Sequence, residues 1–452
     1  MGQLPTSWMM ATVGDVTLPY EVAEPSRSPD KQFTYIDIGS IDNVRQEIAS
    51  PRSLLGSEAP SRARRIVRAG DTLFSTVRTY LKNIALVPEG LDGVLTSTGI
   101  AILRPCPSLN PRYVFYWAKS DEFVTAIGKS EDGTMYPAVR DADIADGPIP
   151  LAPTFEQHRI VAKLDSLFDR STRARRELDR VPRLIERYKQ AILSKAFSGE
   201  LTVGWRERRG GASFPWRAST VGALARDIRY GTAAKCSYAK TATPVLRIPN
   251  IGANSMDLDD LKYAVFSEAE VRKLRLAVGD LLIIRSNGSL GLVGRTAIVT
   301  DREAGLLYAG YLIRVRLDGT KIFPRYLHHL LSAPETRQHI EALSKSTSGV
   351  NNINSEQISG LAVPLPSLEE QAEIVRRIDV ALAWLDKIAT EHARADHLLP
   401  KLNQAILAKA FKGELVAQDP SDEPASVLLD RIRTEREGSA HSRSRRTRRS
   451  AD

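Results

Sequence analysis

The feature that most constrains this chain is a segment that occurs twice, 214 residues apart. When Glu156-Gln157 is placed over Glu370-Gln371 without gaps, 18 of the 46 positions from 156 to 201 are identical. The segment ends as QAILSKAFSGEL in the first copy and as QAILAKAFKGEL in the second. A repeat of this length predicts a duplicated chain, in which the regions around the two segments fold alike.

Each copy of the segment carries the pattern of a long helix. Its apolar positions step alternately by four and three residues, and this 3.5-residue period is typical of a coiled-coil seam. The seam residues are Ile160, Leu164, Leu167, Leu178, Ile185 and Ile192 in the first copy, and Ile374, Ile378, Leu385, Ile388, Leu399 and Ile406 in the second. The same stepping includes Tyr188 and Leu402. We expect the two helices to pair antiparallel; the alternative is that each packs only on its own domain.

Residues that favour helix caps mark the ends of both helices. We expect N-caps at Thr154 and Ser367, each followed three residues later by Gln or Glu as in a capping box. Each copy also ends at a glycine, which favours the left-handed position that closes a helix. Pro182 and Pro400 are expected to kink or divide the helices, because proline lacks the N–H that a helix interior needs.

The two regions that precede the repeated segments also correspond, though more loosely. Trp8 and Trp216 begin them, and the Gly-Asp strands at 70–74 and 279–283 match. Short apolar runs between glycine-rich turns predict strands, and one or two helices in each region indicate an α+β fold. We therefore expect two tandem mixed α/β domains separated by helical spacers. The predicted boundaries are 1–150 for the first domain, 151–203 for its spacer, 204–366 for the second domain and 367–417 for its spacer.

The remaining segment, 418–452, is expected to hold a short helix and a basic tail. Val427, Leu428, Leu429 and Ile432 predict an amphipathic helix that could dock a partner subunit. Ser442–Ser450 carries five Arg and is expected to be a disordered arm that touches phosphates or only adds solubility.

Composition narrows the class of protein. The net charge of +9 is compatible with a polyanionic partner but does not require one. The chain shows no signal-peptide pattern and no apolar run of membrane-spanning length. Cys106 and Cys236 are the two cysteines and lie far apart, so a disulfide framework and a zinc site are both disfavoured. We expect a cytoplasmic protein.

Motifs for catalysis are missing from the sequence. Gly128-Lys129-Ser130 resembles the end of a phosphate-binding loop, but Phe123 stands where that motif requires glycine. We find no Asn/Asp-Pro-Pro-Tyr tetrapeptide, no nucleophile elbow and no His-Glu-x-x-His. His328, His329 and His339 are poorly spaced for a shared metal. The sequence predicts a non-catalytic chain that holds neither metal nor cofactor.

Polar loops that bear Arg, Asn and Ser recur at matching places in both domains. Such side chains read base edges and hold phosphates, so as a set they favour a nucleic-acid partner. The candidates in the first domain are Arg52, Arg62, Arg64, Arg65, Arg68, Arg78, Lys82 and Lys129. Those in the second are Arg285, Asn287, Ser289, Arg295, Lys345, Thr347, Ser348, Asn351 and Asn352.

With these features together, the chain resembles the specificity subunits of type I restriction-modification systems. The resemblance is carried by LAPTFEQHRIVAKLD…YKQAILSKAFSGEL and LPSLEEQAEIVRRID…LNQAILAKAFKGEL, and by the Gly-Asp strands and the Trp8 and Trp216 starts. It implies two target-recognition domains, each reading one half of an asymmetric, split sequence in double-stranded DNA, with an antiparallel coiled coil that fixes the spacing. It also implies methylation subunits, usually two, docked on the helices, and restriction/translocase subunits. S-adenosylmethionine, ATP and Mg²⁺ would belong to those partners.

Two other classes of function stay open at this point. The chain could be a structural adaptor, in which the coiled coil assembles proteins and the domains bind peptides. It could also be a self-contained methyltransferase or nuclease, which the missing motifs disfavour. Enrichment of a bipartite DNA motif would separate the first class from recognition of DNA, and turnover by the purified chain would reveal the second.

Overall fold

The computed structural model describes residues 4–128, 138–210, 215–240, 242–252, 256–345 and 349–449, with side chains described up to residue 437. The chain divides into two compact units. Unit 1 comprises residues 1–178 and 394–452, and unit 2 comprises residues 179–393. Each unit therefore contains one of the two predicted α/β domains, which we call head 1 and head 2, together with parts of both helical segments.

The described residues form the following elements in chain order. The helices are α1 (Val13–Val16), α2 (Pro111–Ala118), α3 (Asp121–Gly128), α4 (Asp141–Ala145), α5 (Thr154–Leu178), α6 (Val181–Phe197), α7 (Val203–Arg208), α8 (Val221–Leu224), α9 (Glu268–Leu274), α10 (Pro324–Ser332), α11 (Pro334–Ser344), α12 (Ser355–Ser359), α13 (Leu368–Phe411) and α14 (Ala425–Arg449). The strands of head 1 are β1 (Met9–Thr12), β2 (Thr17–Leu18), β3 (Glu21–Val22), β4 (Gln32–Ile36), β5 (Ile41–Asp42), β6 (Glu47–Ile48), β7 (Arg52–Leu55), β8 (Ala63–Ile66), β9 (Thr72–Ser75), β10 (Ile84–Leu86), β11 (Leu95–Ser97), β12 (Ile100–Pro105) and β13 (Pro148–Leu151). Those of head 2 are β14 (Arg217–Thr220), β15 (Ala225–Tyr230), β16 (Thr243–Leu246), β17 (Lys262–Ala264), β18 (Leu281–Ile284), β19 (Ser286–Asn287), β20 (Thr296–Ile298), β21 (Leu307–Tyr308), β22 (Leu312–Leu317), β23 (Asn351–Asn352) and β24 (Ala362–Leu365).

Head 1 is built on two main sheets. One has the strand order β10-β9-β12-β2, and the other has the order β3-β8-β11-β4-β7, in which β11 and β4 run parallel. A separate antiparallel ribbon joins β1 at the start of the head to β13 at its end, with Met9 opposite Leu151. The apolar strand β9 and the aromatic helix α2 both contribute buried side chains to the head's core. The ribbon closes the domain directly before α5 begins.

Head 2 repeats this plan with fewer strands. Its main sheet has the order β15-β22-β18-β20, and a smaller sheet has the order β17-β16-β21, again with one parallel pair. The ribbon of β14 and β24 places Arg217 opposite Leu365, as β1 and β13 do in head 1. The Gly-Asp strands β9 and β18 are central in both heads, and each is preceded by a glycine with positive φ, Gly70 or Gly279. The mixed α/β fold and the duplication predicted from the sequence are therefore both present.

The repeated segments form long helices that pair antiparallel within each unit. In unit 1, α5 lies against the second part of α13, where the Ser171 hydroxyl donates to the Asn403 side chain over 2.8 Å and Arg175 pairs with Asp396. In unit 2, α6 lies against the first part of α13, where Lys189 faces Asp386. Residue numbers rise along one helix as they fall along the other. The pairing is therefore antiparallel, as the 3.5-residue period predicted.

The predicted seam is buried to different degrees along the helices. Ile160, Leu164, Ile374 and Ile378 are buried, because the first turns of α5 and α13 pack on heads 1 and 2 respectively, and Leu385 is buried further along α13. The other predicted seam residues are half-buried: Leu167, Leu178, Ile185, Ile192, Ile388, Leu399 and Ile406. Both predicted modes, pairing with a helix and packing on a head, therefore coexist.

Two positions of the predicted stepping do not belong to the seam. Tyr188 and Leu402 are more than half exposed. The reason is geometric: at 3.6 residues per turn an unbroken 4-3 count drifts away from the contact line unless the helices supercoil.

The cap predictions are corrected in one place. Ser367 caps α13, because its hydroxyl accepts the N–H of Glu370 over 3.3 Å. Thr154, by contrast, is the first residue of α5, and its buried hydroxyl has no hydrogen-bond partner in the described part of the chain. In the repeat alignment the position of Ser367 is taken by Pro153, which has no side-chain acceptor. Gly199 and Gly413 end the helices with φ of 84° and 75°, as expected.

The two prolines act differently. Pro182 lies in the first turn of α6, so the first segment is split at 179–180. Pro400 lies inside α13, which continues unbroken for 44 residues. Division at Pro400 was therefore not found. A proline at the start of a helix loses no hydrogen bond, whereas within α13 the neighbouring packing has to offset the missing one.

The Glu-Gln pair of each repeat fixes the head to its helix. Buried Glu156 accepts the indole N–H of Trp8 over 2.9 Å, and buried Glu370 accepts that of Trp216 over 3.1 Å. The neighbouring Gln157 and Gln371 donate to backbone carbonyls at the end of the preceding strand. In each unit, the tryptophan at the start of the head thus contacts the glutamate of the Glu-Gln pair. The two residues are 148 positions apart in unit 1 and 154 in unit 2.

Helix α14 packs on head 1 rather than leaving an apolar face free. Leu428, Leu429 and Ile432 are buried in the core of unit 1, whereas Val427 is exposed. The apolar face predicted as a partner's docking site is therefore occupied by the chain itself. The helix is also longer than the short one expected, since it continues to Arg449 through the Arg-rich stretch predicted to be disordered. Arg, Ala and Glu are strong helix formers, so an anchored first turn can propagate.

Candidate nucleic-acid interface

Five of the predicted reading residues of head 2 meet in one small ribbon. Strands β19 and β23 pair antiparallel, with Ser286 opposite Asn352 and Asn287 opposite Asn351. These strands come from loops that are more than 60 residues apart in sequence. The ribbon brings together Arg285, Asn287, Ser289, Asn351 and Asn352.

The polar side chains of this ribbon are held in place by one another. The guanidinium of Arg285 lies over the Tyr230 ring, 4.6 Å from its centroid, and its Nε donates to Asn352 Oδ1 over 3.2 Å. Asn351 Nδ2 donates to the Gly288 carbonyl over 3.1 Å. Among the described residues, the two terminal nitrogens of Arg285 have no acceptor. A preoriented guanidinium fork is the group that binds guanine edges and phosphates in two-point fashion.

The remaining candidates of head 2 lie elsewhere or outside the described residues. Arg295 is half-buried in an open cleft of about 1560 Å³, which is lined by β20, α10, α6 and α13. It therefore does not join the ribbon. Lys345 is exposed just after α11. Thr347 and Ser348 fall outside the described part of the chain.

Head 1 has the same backbone arrangement with different side chains. Val77 bridges to Ala138, and the Val139 N–H donates to the Thr76 carbonyl over 2.9 Å. The equivalent bond in head 2 runs from Ile353 to the Arg285 carbonyl over 2.8 Å. The ribbon is thus a shared scaffold, and the side chains that it carries differ between the heads.

Two basic candidates flank the head 1 scaffold. Arg78 is exposed beside it, with a left-handed backbone. Lys82 is mostly buried. Its ammonium pairs with Asp121 at 2.5 Å and donates to the Lys119 carbonyl over 3.1 Å. Lys129 lies outside the described residues. Of the two described basic side chains, Arg78 and Lys82, only Arg78 is exposed.

The predicted arginine cluster of head 1 is not a free basic patch. Four of its members form ion pairs with carboxylates of their own head: Arg52 with Asp37, Arg64 with Glu24, Arg65 with Asp141 and Arg68 with Glu21, all at 2.6 to 2.8 Å. Arg64 and Arg65 are neighbours on β8 and so point to opposite sides of the sheet. Arg62 is exposed and has no acceptor among the described residues.

The electrostatics of these pairs agree with a structural role. The pKa of Glu24 lies below its ordinary value, chiefly because Arg64 donates a hydrogen bond to it and Arg27 adds attraction. Arg65 is only 12% exposed and also lies over the Tyr20 ring. Proximity in sequence therefore overstated the charge that this head offers to an anion.

A second group in head 2 was missed by the sequence analysis. The exposed Tyr238 ring has Lys262 over it at 4.8 Å and Arg247 at 6.0 Å. An aromatic ring interleaved with cations suits contact with nucleic acid. The three residues are 9 to 24 positions apart, and no spacing rule links them. The sequence feature that could have indicated this group is a tyrosine close to a lysine, in Ser237-Tyr238-Ala239-Lys240.

No metal-binding cluster of His, Cys, Asp or Glu occurs among the residues that the structure describes. In the same described ranges, no helix combines the length and apolar character needed to cross a membrane. The two histidines of α10 have structural partners: His328 contacts the Thr296 hydroxyl, and His329 contacts Asp379.

Comparison with known proteins identifies the class to which this architecture belongs. Residues 229–394 match the family described as type I restriction modification DNA specificity domain. The chain is 32% identical over 347 residues to the specificity subunit of the type I restriction enzyme EcoKI of Escherichia coli K12, covering 75% of this chain and 74% of that protein. It is 31% identical over 344 residues to that of StySPI from Salmonella potsdam, covering 74% and 73%.

Solved structures extend the match over nearly the whole chain. One, reported as the structural basis of complex assembly and conformational transition of the type I R-M system, aligns with a TM-score of 0.75 at 31% identity, covering 92% of this chain and all of that one. The HsdS subunit from Thermoanaerobacter tengcongensis aligns with a TM-score of 0.65 at 29% identity, covering 92% and 99%. The chain belongs to the specificity subunits of type I restriction-modification systems. It is thus a non-catalytic component that recognises DNA sequence.

Proposed function

We propose that each head reads one half of a bipartite, asymmetric sequence in double-stranded DNA, and that the helices set the separation of the halves. The observation that carries this proposal is the shared ribbon. Both heads bring the loop after the Gly-Asp strand against the segment that precedes the closing strand, through equivalent backbone bonds. Head 2 places Arg and Asn side chains there, whereas head 1 places Thr, Val and Ala. One scaffold with two sets of side chains suits two different half-sites.

We further propose that the methylation subunits, two in number, dock on the exposed sides of the helices. In unit 2 the apolar residues Leu184, Tyr188, Val380 and Trp384 are all exposed. At 100° per residue they fall on the flank of the α6–α13 pair opposite to the flank that carries Leu382 and Asp386 toward the cleft. An exposed apolar surface of this kind marks a protein interface.

The other unit carries a related but weaker face. The repeat partners of Leu184 and Tyr188 are Leu398 and Leu402, which are exposed in unit 1. Those of Val380 and Trp384 are Ser166 and Arg170, which are polar. Two exposed apolar positions thus recur in both units, which supports a partner present in two copies.

The chemistry of the complex would then lie on its partners. S-adenosylmethionine would serve the methylation subunits, and ATP with Mg²⁺ the restriction/translocase subunits that join them. Recognition would occur in the cytoplasm, where unmodified DNA enters. This chain would recognise the DNA sequence and bind the other subunits.

The decisive experiment uses the full chain with the methylation subunits of its host. Methylation of a random-sequence DNA library, followed by sequencing of modified bases, should give one motif with two fixed parts and a gap of constant length. Insertion of one heptad into both spacer helices at matched positions should change the gap and leave both fixed parts intact. A single continuous motif, or none, would refute the proposal and favour an adaptor that binds proteins.

A further inference from the structure

A turn in head 1, Thr79–Leu81, has the features of a reading element that the sequence candidates do not include. It is a single 3₁₀ turn that follows the ribbon residue Val77, so it lies beside the scaffold shared by the two heads. Its tip presents Tyr80, 59% exposed, and Leu81, 39% exposed. These two side chains are adjacent to each other and to the scaffold shared by the heads, so they are placed to contact a molecule that binds there.

The backbone around this turn is strained. Among the described residues, only three that are not glycine have positive φ: Gln46 at 57°, Arg78 at 51° and Lys82 at 52°. Arg78 and Lys82 flank the turn on its two sides. Gln46 belongs to the tight turn between β5 and β6, from which Asn43 Nδ2 donates to the Leu81 carbonyl over 3.1 Å. All three residues therefore gather at one place, and such clusters occur where function requires a fixed, uncommon conformation.

Several contacts hold the turn rigidly. Lys82 Nζ donates to Asp121 Oδ1 over 2.5 Å and to the carbonyl of Lys119 at the end of α2 over 3.1 Å. The N–H of Leu81 donates to the Arg78 carbonyl, and that of Lys82 to the Thr79 carbonyl, both over 2.9 Å. Thr79 is buried, whereas Tyr80 projects. A side chain on such a support has little freedom to lose on binding.

Head 2 builds the matching turn with different chemistry. Leu290–Leu292 follows its ribbon, and the left-handed position after it is Gly294, with φ of 78°. This turn is clamped by Arg337, which donates to the carbonyls of Val293 over 2.8 Å and Gly291 over 3.2 Å. Glycine adopts that conformation without cost, but head 1 keeps a lysine there and ties it down. The head 1 turn thus retains a costly backbone together with an exposed ring.

We propose that Tyr80, supported by Leu81, contacts the methyl group of a thymine in the half-site that head 1 reads. The group that a base edge displays to apolar side chains in the major groove is the thymine C5-methyl. This inference rests on the proposed function and assigns to head 1 an apolar mode of reading, where head 2 uses Arg and Asn.

The test is methylation of the random library by the complex that carries Tyr80→Ala. One position of the head 1 half-site should lose its preference for an A·T pair, with discrimination falling about tenfold, which is within the range for readout of one base pair. Tyr80→Phe keeps the ring and should keep the preference. Val22→Ala removes an exposed apolar side chain of head 1 outside the turn and should leave the head 1 half-site unchanged. Thermal unfolding of Tyr80→Ala should match that of the native chain.

A chemical control isolates the methyl group. Uracil in place of thymine at the affected position should weaken methylation by the native complex about as much as Tyr80→Ala does, and should have no added effect on the variant. Additive losses, relaxation at a G·C pair, or an unchanged motif with Tyr80→Ala would each overturn the inference. If the native complex itself gives no bipartite motif, the proposed function fails first, so the two failures are distinguishable.

Discussion

The buried glutamates that join each head to its helix give a matched pair of substitutions. Glu370 accepts hydrogen bonds from Trp216, from the Thr202 hydroxyl at 2.8 Å and from Arg206 Nη1 at 2.6 Å. Glu156, its repeat partner, accepts from Trp8 and from Gln418 Nε2 at 2.5 Å. Both carboxyl groups are buried, but only Glu370 faces a buried cation, since Arg206 is also nearly inaccessible.

Replacement of each glutamate by glutamine should therefore have unequal effects. Glu370→Gln leaves the Arg206 charge buried without its counterion, and breaking one partner of a buried pair costs about 3 kcal/mol or more of the free energy of unfolding. Glu156→Gln keeps the acceptor for Trp8, and Gln418 can turn its amide to accept in place of donating. This second change should alter the free energy of unfolding by less than about 1 kcal/mol, because both hydrogen bonds can be kept and no buried cation loses its counterion.

Urea denaturation of the full chain at pH 7.5, followed by circular dichroism at 222 nm, measures both effects. The expected difference between the two variants is about 2 to 3 kcal/mol. Arg206→Met combined with Glu370→Gln is the control, since removal of the orphaned charge should restore part of the loss. Equal destabilisation by both glutamine variants would show that the carboxylate–Trp contacts dominate, and that the reasoning from Arg206 is incorrect.

Three further outcomes follow from particular contacts. Arg285→Lys keeps the charge but loses the fork over Tyr230, so sequencing of methylated DNA should show relaxation of the head 2 half-site alone, worth about 1 to 3 kcal/mol at one base; equal relaxation in both half-sites would contradict independent heads. Burial raises the pKa of Glu156 above its ordinary 4.5, so the folded state holds the proton of this carboxyl more tightly than the unfolded state does. The stabilisation that results is fully present below pH 4.5 and is lost as the pH rises through the raised pKa. Denaturation midpoints should then show the native chain losing stability relative to Glu156→Gln above pH 4.5, and a constant difference would exclude this. Trp384→Ala should weaken binding of the methylation subunit about 30-fold or more in titration calorimetry, with little effect on thermal unfolding of the free chain, because the indole is exposed; Val265→Ala, an exposed apolar position of head 2, is its control.

Features with a local physical cause were predictable from the sequence. The two glycines that end the repeats adopt positive φ, and the apolar period identified helices that do pair antiparallel. Pro182 and Pro400 show the limit of local rules, since proline lies in the first turn of one helix and in the interior of another. The difference is set by the neighbouring packing, which a single sequence does not display.

The geometry of the candidate interface could be predicted only in part. The ribbon of head 2 was found because both of its loops are polar and recur before matching landmarks. The ion pairs of the head 1 arginines could not be foreseen, because their carboxylate partners lie 15 to 76 residues away and only the sheet brings them together. The projection of Tyr80 could not be read from the sequence, because it depends on a backbone conformation that Arg78 and Lys82 adopt in the folded head.

The closest identity between the copies, at QAILSKAFSGEL and QAILAKAFKGEL, has a structural cause. Phe197 of the first signature packs edge-on against Tyr326 of head 2, with ring centroids 5.3 Å apart. Phe411 of the second packs against Tyr113 and Trp117 of head 1, at 5.2 and 4.9 Å. The second signature thus returns from the end of the repeats to complete the core of the first head, where α14 joins it. Each head requires the same helix end for its core, whereas its loops are free to diverge. A duplicated chain can therefore change the DNA sequence that it recognises without losing the core of either head.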